Sequence, residues 1–486
     1  MYHLPNNYAT FPGSGLNGEI SAGALPLVVD CDLPLPRSIT RMEYPESNRY
    51  RDILEWLYRQ LPMFQRIGSP ALKYSLDNIR ALCQAFGNPQ FSYPVVHIAG
   101  TNGKGTVSHL LAAALQAGGL KVGLHTSPHY KDFRERIKVN GMLIPRARVK
   151  AMIRQTFPLV DELHPSFFEL STLMAFQYFR EAKVDVAVIE TGLGGRLDST
   201  NVVDPVLSVI TGVHFDHMAF LGDTLPKIAR EKAGIIKPGK PVVIGPCSKE
   251  VLDVFTEEAK QQHALLIEAE QLVRIEVAGQ NHKGSTLELY VKDQYYGQAV
   301  VPAMGPFIAE NTMISLAAWQ VLQDYFKLQG SAFIQGVRQL KELTQYQGRW
   351  QWLDEGPDIL TDSAHNEEGI SGVLEAIRAL DYPQIHFVLG FVRDKAIEEM
   401  LQLFPSTGKY YFVQAKVPRA LPAGEVASKA REIGLKGKPY SSVNKGLAAA
   451  KQTASSKDLI FVGGIGFSFQ ANLPGLASFR NRKRSQ

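Results

Sequence analysis

One short glycine-rich segment carries the residue types that can bind a polyphosphate. Residues 100–106 are Gly-Thr-Asn-Gly-Lys-Gly-Thr, with Lys104 between two glycines and a hydroxyl at Thr106. The backbone N–H groups of such a loop can donate hydrogen bonds to phosphate oxygens, Lys104 can reach the outer phosphates, and the Thr106 hydroxyl can ligate magnesium. The spacing is shorter than the full Walker pattern, so a glycine-rich turn with an exposed lysine is the alternative. We predict a site for a nucleoside triphosphate.

The segments on both sides of this loop have the patterns that would orient it. Residues 95–99 form an apolar run with β-branched residues, which favours a buried strand. Residues 107–117 have helical periodicity and are followed by Gly118-Gly119, which indicates a helix end. A strand, a glycine loop and a helix in this order direct the positive end of the helix dipole at a bound anion. This context favours phosphate binding over a plain turn.

Three further polar residues stand where predicted strands end. Ser127, Glu190 and His217 each close or follow an apolar, strand-like run. In an open α/β sheet, ligands bind at the carboxyl ends of the strands, and a carboxylate beside the phosphate strand holds magnesium in P-loop enzymes. We interpret these residues as magnesium ligands, against the alternatives of a turn serine, a capping carboxylate and a structural histidine.

Composition restricts the class of protein and its compartment. The chain has 486 residues, of which 45% are hydrophobic and 20% charged, enough for two globular domains. Its net charge of +5 is small and its basic residues are dispersed, so we expect no binding to nucleic acid. No apolar run approaches membrane-spanning length, so we expect no membrane association. The three cysteines lack Cys-x-x-Cys spacing, and the amino terminus resembles no targeting signal, which predicts a cytoplasmic protein.

The chain divides into three predicted regions. Residues 1–45 are rich in Pro, Gly and Asn and form an irregular N-terminal extension. Residues 46–345 alternate strand and helix patterns around the phosphate loop and include a β-rich segment at about 265–301. The pattern pauses near 343–348, and strands alternate with helices again over residues 346–486. This order predicts an α/β protein with a larger ATP-binding domain and a smaller second α/β domain.

These residues leave three classes of ATP-using enzyme open, namely kinases, phosphate-hydrolysing motors and ligases that activate a carboxylate. Further motifs occur in chain order at His97–Thr106, Thr126–His129, Glu135–Ile137, Glu190–Asp198, Asp216–Gly234, Gly348-Arg349 and Asp362–Asn366. In type and order they resemble the folylpolyglutamate synthase and dihydrofolate synthase family of the Mur ligase superfamily. Four features depart from the family pattern: Gln347 and Glu367 replace prolines, Ser363 replaces a glycine, and the segment Val462–Gly466 lacks a serine.

The resemblance implies a fold and a reaction. The expected fold is a P-loop, Mur-ligase-like central ATPase domain followed by a smaller Rossmann-like domain, the glutamate-ligase domain. The expected reaction is ATP-dependent amide formation between a pteroate or folate carboxylate and L-glutamate through an acyl phosphate, with ATP and Mg²⁺ as cofactors. The activity would be dihydrofolate synthase, folylpolyglutamate synthase or both, in a monomer whose partners are small molecules. The alternative is a Mur-type ligase, or another P-loop ATPase or kinase, that acts on a different carboxylate.

The resemblance also implies roles for individual residues, each matched to a position in a family motif. The matched residues are Thr101, Asn102, Gly103, Lys104, Gly105 and Thr106 for the phosphates; Ser127, Glu190 and His217 for magnesium; Asn311, Arg349, Asp362 and His365 for ATP contacts from the linker and second domain; and Phe168, Glu169, Leu197 and Asp198 for the pteroate. Lys104, His217 and Lys232 are the expected catalytic residues, and Lys232 matches a lysine that is carbamylated in relatives. A carbamate there would replace a cation with an anionic ligand beside the metal.

Overall fold

The fold was analysed in a computed structural model that describes residues 44–45, 47–63, 75–282, 284–354, 357–393, 397–415 and 419–464. Its α-helices are α1 Tyr50–Gln60, α2 Asp77–Ala85, α3 Lys104–Ala117, α4 Arg146–Leu163, α5 Phe167–Ala182, α6 Met218–Leu221, α7 Leu225–Ala233, α8 Lys249–Gln261, α9 Ala269–Leu272, α10 Ile308–Phe326, α11 Ser331–Arg338, α12 Leu340–Thr344, α13 Glu367–Arg378, α14 Ile397–Gln402, α15 Ala423–Glu432 and α16 Val443–Thr453. Its strands are β1 Val95–Ala99, β2 Val122–His125, β3 Ile137–Val139, β4 Met142–Leu143, β5 Val186–Glu190, β6 Leu207–Ile210, β7 Val242–Ile244, β8 Leu266–Glu268, β9 Val273–Asn281, β10 Gly284–Val291, β11 Gln294–Val301, β12 Gln351–Asp354, β13 Asp358–Thr361, β14 Ile385–Leu389, β15 Lys409–Val413, β16 Gly437–Tyr440 and β17 Leu459–Gly463.

A large sheet with a parallel centre forms the framework of the phosphate loop. Its strand order is β4-β3-β2-β5-β1-β6-β7-β8, and every pair from β2 to β8 in that order is parallel. The apolar runs predicted to be strands are buried along their whole length in β1 and β5, as expected for a sheet covered on both faces. The predicted α/β architecture is therefore confirmed.

One face of this sheet is covered by helices and by a second, antiparallel sheet. Side chains of α3, α10 and α11, including Leu110, Trp319 and Phe333, share one core with Leu287 and Leu289 of β10. The antiparallel sheet has the order β11-β10-β9 and corresponds to the β-rich segment predicted at about 265–301. This core fixes α3, the helix that follows the phosphate loop.

The last part of the described chain forms a third sheet. Its order is β12-β13-β17-β14-β15-β16; the β12–β13 pair is antiparallel and the other pairs are parallel. Its own hydrophobic core contains Leu360, Phe387 and Leu389 together with side chains of α13, α14 and α15. The alternation of strands and helices predicted after residue 346 is confirmed, although the sequence analysis did not identify the edge strands β12 and β16.

Several predictions from the sequence can be compared with the described chain. Asn311, which was matched to an ATP contact, lies in the first turn of α10. Helix α4 was not predicted, and it contains Pro158, which interrupts the helical pattern. The predicted irregular extension lies, up to residue 43, outside the described residues. Within the described ranges, no helix is both long and apolar enough to cross a membrane.

Candidate active site

The predicted phosphate loop joins β1 to the amino terminus of α3. Gly103 precedes the first helical residue and has a φ of +83°. Residues with a side chain rarely adopt this backbone conformation, because it is strained for them. A Cβ atom at Gly103 would lie 2.2 Å from Oδ1 of Asn311, so a glycine is also required by space. The first-turn N–H groups of α3 lack carbonyl partners within the helix, as at any helix amino terminus. The loop therefore has the geometry of an anion site.

Lys104 lies over this loop. Its Nζ donates to the carbonyl oxygens of Gly100 and Thr101 at 2.9 and 3.0 Å. Burial lowers the pKa of Lys104, and the nearby carboxylates of Glu190 and Asp216 offset only part of this effect. A negatively charged ligand would remove the electrostatic cost of keeping this ammonium charged. This position agrees with the predicted phosphate contact of Lys104, which stays a prediction.

Glu190 and Ser127 meet at the same edge of the sheet. Glu190 ends β5 and pairs with Ile98 of β1, and its carboxylate lies against the first turn of α3, with both oxygens 3.7 Å from a Cβ built at Gly105. The Ser127 amide donates to Glu190 Oε2 at 3.0 Å. Only 3% of Glu190 is exposed, and this burial raises its pKa to about 7 despite the neighbouring Lys104. A divalent cation would stabilise the ionised form, so the two residues fit a magnesium site.

Lys232 and His217 approach the loop from the side of β6. Lys232, near the end of α7, is buried, and burial together with the charge of Lys104 lowers its pKa to about 7. Among the described residues its ammonium makes no hydrogen bond and no ion pair. His217 precedes α6, and its Nε2 lies 3.8 Å from Oδ2 of Asp216. The described residues contain no group of three His, Cys, Asp or Glu side chains able to hold a metal, so a bound magnesium would also need phosphate or water oxygens.

Two hydroxyls of the loop bond to neighbouring segments. Thr101 Oγ1 donates to the carbonyl oxygen of His214 at 3.2 Å and accepts from its amide at 3.1 Å, which ties the loop to the segment after β6. Thr106 Oγ1 lies 3.1 Å from the hydroxyl of Tyr346, in the segment that leads to the third sheet. Sequence reasoning did not identify Tyr346, for which no motif gave a signal. Magnesium binding by Thr106 stays a prediction.

Three of the residues predicted to contact ATP from the linker and second domain lie in or beside the motif at Asp362–Asn366, namely Arg349, Asp362 and His365. Asp362 accepts from the amides of Trp350 and Ala364, both at 2.7 Å, so its carboxylate orders the backbone next to Arg349. Arg349 itself donates to Oγ of Ser363, the residue that departs from the family pattern. The serine hydroxyl thereby supplies a partner that a glycine could not.

Two of the residues predicted to contact ATP, His365 and Asn311, make contacts near the phosphate loop. The His365 side chain lies 3.5 Å from Asp216, measured from Nε2 to Oδ2, and its Nδ1 donates to the Ser363 carbonyl at 3.0 Å. Asn311 donates from Nδ2 to the Phe307 carbonyl at 2.7 Å while its Oδ1 faces Gly103. Asp216 thus lies close to both His217 and His365. Sequence reasoning did not identify these contacts of Asp216, although the residue begins the Asp216–Gly234 motif.

The predicted pteroate residues fall into two groups. Phe168 is partly exposed and its ring packs on Gly192, where a Cβ atom would lie 2.7 Å from the ring, while Leu197 is partly buried in the same glycine-rich loop. The carboxylates of Glu169 and Asp198 are instead buried and bind backbone. Glu169 caps its own helix by accepting from the Ser166 amide at 2.6 Å. Asp198 accepts from the amides of Gly192 and Leu193, both at 2.8 Å, and so shapes the loop.

Comparison with known proteins identifies the family. The Mur ligase middle domain matches residues 98–319, and the Mur ligase glutamate ligase domain matches residues 348–466. A dihydrofolate synthase/folylpolyglutamate synthase of Bacillus subtilis is 32% identical over 76% of this chain and 86% of its own. A probable bifunctional folylpolyglutamate synthase/dihydropteroate synthase of Haloferax volcanii is 33% identical over 72% of this chain, which spans only 42% of that longer relative.

The structural comparison agrees. The folylpolyglutamate synthase of Mycobacterium tuberculosis, complexed with ADP and AMPPCP, superimposes with a TM-score of 0.76 and 30% identity, covering 86% of this chain and 96% of that one. The three-dimensional fold is therefore shared. The chain belongs to the folylpolyglutamate synthase and dihydrofolate synthase family of the Mur ligases, a family of ATP-dependent ligases.

Proposed function

We propose that this protein joins the carboxylate of a pteroate or folate to the amine of L-glutamate, with both dihydrofolate synthase and folylpolyglutamate synthase activity. The observation that carries the proposal is the convergence of Lys104, Glu190 and Lys232 on one phosphate loop, all with pKa values perturbed by burial. Perturbed ionisable groups gathered in one site are typical of catalytic centres. The names of the matched family and its glutamate ligase domain supply the substrate class.

The proposed reaction has two steps. An oxygen of the pterin-linked carboxylate attacks the γ-phosphorus of ATP, the bond to the bridging oxygen breaks, and ADP leaves. The neutral amine of glutamate then attacks the acyl carbon, phosphate leaves, and the amine loses a proton. No enzyme nucleophile is required, so the chain contributes by positioning and by stabilising phosphoryl charge.

The chain's own residues divide this work. Lys104 would hold the terminal phosphoryl group against the amides of the loop, since its Nζ already lies beside Gly100 and Thr101. Glu190, Ser127 and His217 would hold Mg²⁺, which when bound neutralises phosphoryl charge. Arg349, Asp362, His365 and Asn311 would complete the nucleotide site from the linker and the region of the third sheet. The proposed division into residues 46–345 and 346–486 places that boundary between α12 and β12.

Lys232 is proposed to carry a carbamate. Carbon dioxide adds to a neutral amine, and a lysine with a pKa of about 7 is substantially neutral at physiological pH. The new N–C bond releases one proton from nitrogen and leaves an anionic carbamate. An anionic group would suit this buried position because the positive charge of Lys104 acts on it.

The pterin would lie along Phe168, whose ring is suited to stack on an aromatic ligand. Glu169 and Asp198 would shape the pterin site indirectly, because their carboxylates hold the nearby backbone in place. Leu197 would contact the pterin directly. We also propose a cytoplasmic location, which the free thiols of Cys83 and Cys247 support, and a monomeric protein. Light scattering that reports a dimer would contradict the monomer.

The function is tested by phosphate release with dihydropteroate and tetrahydrofolate offered separately, each with and without L-glutamate. We expect turnover with both acceptors, dependent on glutamate, and its loss in Lys104→Ala. Turnover with one acceptor would exclude bifunctionality. Turnover that ignores both pterins would overturn the family reaction, and near-normal turnover of Lys104→Ala would contradict the mechanism.

A further inference from the structure

Asn102 and Asn366 form a reciprocal pair of amide hydrogen bonds across 264 residues of sequence. Asn102 Nδ2 donates to Asn366 Oδ1 at 3.3 Å, and Asn366 Nδ2 donates to Asn102 Oδ1 at 3.0 Å. One residue belongs to the phosphate loop and the other to the motif that precedes α13. We call this pair the amide clasp.

The amide of Asn366 uses its full hydrogen-bonding capacity. Its Oδ1 also accepts from the Gly369 amide at 2.9 Å, which caps α13, and its Nδ2 also donates to Asp216 Oδ2 at 3.4 Å. A side-chain amide offers two donors and two acceptor positions, and all four are occupied here. A capping role alone would be served by aspartate or serine. The two donor bonds, however, require the amide.

Asn102 is also held in place by its backbone. The Thr211 hydroxyl donates to the Asn102 carbonyl oxygen at 2.5 Å, so the loop is tied to the end of β6. Phe307 forms a second connection between α13 and the phosphate loop. Its ring packs on Gly372 of α13, and its carbonyl oxygen accepts from Asn311, whose Oδ1 faces Gly103. The position of α13 is therefore transmitted to the phosphate loop by direct contacts.

We propose that Asn102 and Asn366 are positioning residues that fix the region of the third sheet on the phosphate loop while glutamate attacks the acyl phosphate. This inference rests on the proposed function. The second step joins a group held by the loop to an amine that the glutamate ligase domain would deliver, so its rate depends on their relative placement. Loosening the clasp should therefore impair the use of glutamate more than the binding of ATP.

The decisive variant is Asn366→Asp, which keeps the cap of α13 but removes both donor bonds and places a second carboxylate beside Asp216. We expect kcat/KM for glutamate to fall by about 10- to 100-fold, the scale of a small misplacement of reacting groups. Asn366→Ser, which caps α13 without adding charge, should lower kcat/KM for glutamate in the same way. In this uncharged variant the Kd of a non-hydrolysable ATP analogue, measured by calorimetry, and the unfolding midpoint should stay close to wild type.

A matched control and a double variant distinguish loss of the amide clasp from nonspecific effects of the substitutions on folding or charge. Ser442→Asp adds a carboxylate at the cap of α16, where the serine bonds within its own helix, and should leave glutamate kinetics unchanged. Asn366→Ser adds no charge beside Asp216, and on the background of Asn102→Ala it should cost clearly less than it does alone, because the bonds shared with Asn102 are already lost. Independent, multiplicative losses would overturn the clasp, as would wild-type glutamate kinetics in both Asn366 variants. A wild-type protein that ignores pterins and glutamate would overturn the proposed function instead.

Discussion

Glu190→Gln should make the ligand-free protein more stable while destroying its activity. Burial raises the pKa of Glu190 from 4.5 to about 7, and Lys104, the Ser127 amide and Arg349 offset only part of that rise. Glutamine has nearly the same size, and its carbonyl oxygen can still accept from Ser127. The substitution therefore removes the titratable proton with little change in packing.

The sign and the magnitude of the change in the free energy of unfolding follow from the pKa values of Glu190 in the unfolded and the folded chain. Below about pH 4.5 the carboxyl is protonated in the folded and the unfolded chain, so its titration does not affect stability. As the pH rises towards 7 the unfolded chain loses this proton while the folded chain keeps it, so the free energy of unfolding falls. At about 1.4 kcal/mol per pKa unit, the wild type loses about 3 kcal/mol by pH 8, a loss that glutamine does not suffer.

Urea unfolding at pH 5, 6, 7 and 8, in EDTA and without nucleotide, measures this difference. The gain of Glu190→Gln over wild type should be small at pH 5 and reach about 3 kcal/mol at pH 8. Glu55→Gln, which removes an exposed carboxylate paired with Arg51, serves as the control and should change stability by less than about 1 kcal/mol. A Glu190→Gln protein no more stable than wild type at pH 8, or a gain independent of pH, would refute the reasoning.

Three further outcomes are expected. Lys232→Ala should lose activity and recover part of it with short-chain carboxylic acids, which can replace a carbamate; unchanged activity in phosphate release would contradict the carbamate. Gly103→Ala should weaken ATP binding by at least about tenfold in calorimetry, because the new methyl group meets Asn311 Oδ1 and the residue needs a positive φ. Phe168→Ala should raise the KM for dihydropteroate but not for ATP, and equal changes in both would argue against a pterin contact.

The strand, loop and helix around Lys104 were predictable because these parts are adjacent in sequence. The apolar strand, the glycines and the helix that meet at Lys104 occupy consecutive residues, and their local patterns decide their conformation. The position of Glu190 beside this loop was predictable for a related reason, since strand ends in a parallel sheet share one edge. Helix α4 was not predicted because Pro158 interrupts a pattern that tertiary packing nevertheless holds helical.

Contacts between distant segments could not be read from the sequence. The pairing of Asn102 with Asn366 depends on how two sheets meet, and neither residue has a local pattern that specifies its partner. The burial of Lys232 likewise depends on packing that helical spacing does not encode. Asp198 was matched to the pteroate site, yet its two oxygens accept backbone and hydroxyl hydrogens of its own loop. Spacing places a residue near a site but does not determine which way its side chain turns.

Lys104, Lys232 and Glu190 have perturbed pKa values, so ligand binding at the phosphate loop should be accompanied by uptake or release of protons. Without ligand, burial lowers the pKa values of Lys104 and Lys232 and raises that of Glu190, so each group is biased towards its neutral form. A bound phosphate favours the ammonium of Lys104, and a bound divalent cation favours the carboxylate of Glu190. Because Glu190 must lose its proton to bind the cation, the affinity for MgATP should fall as the pH drops below about 7. In Glu190→Gln this decline should disappear together with most of the magnesium dependence, since no carboxyl proton then competes with the metal.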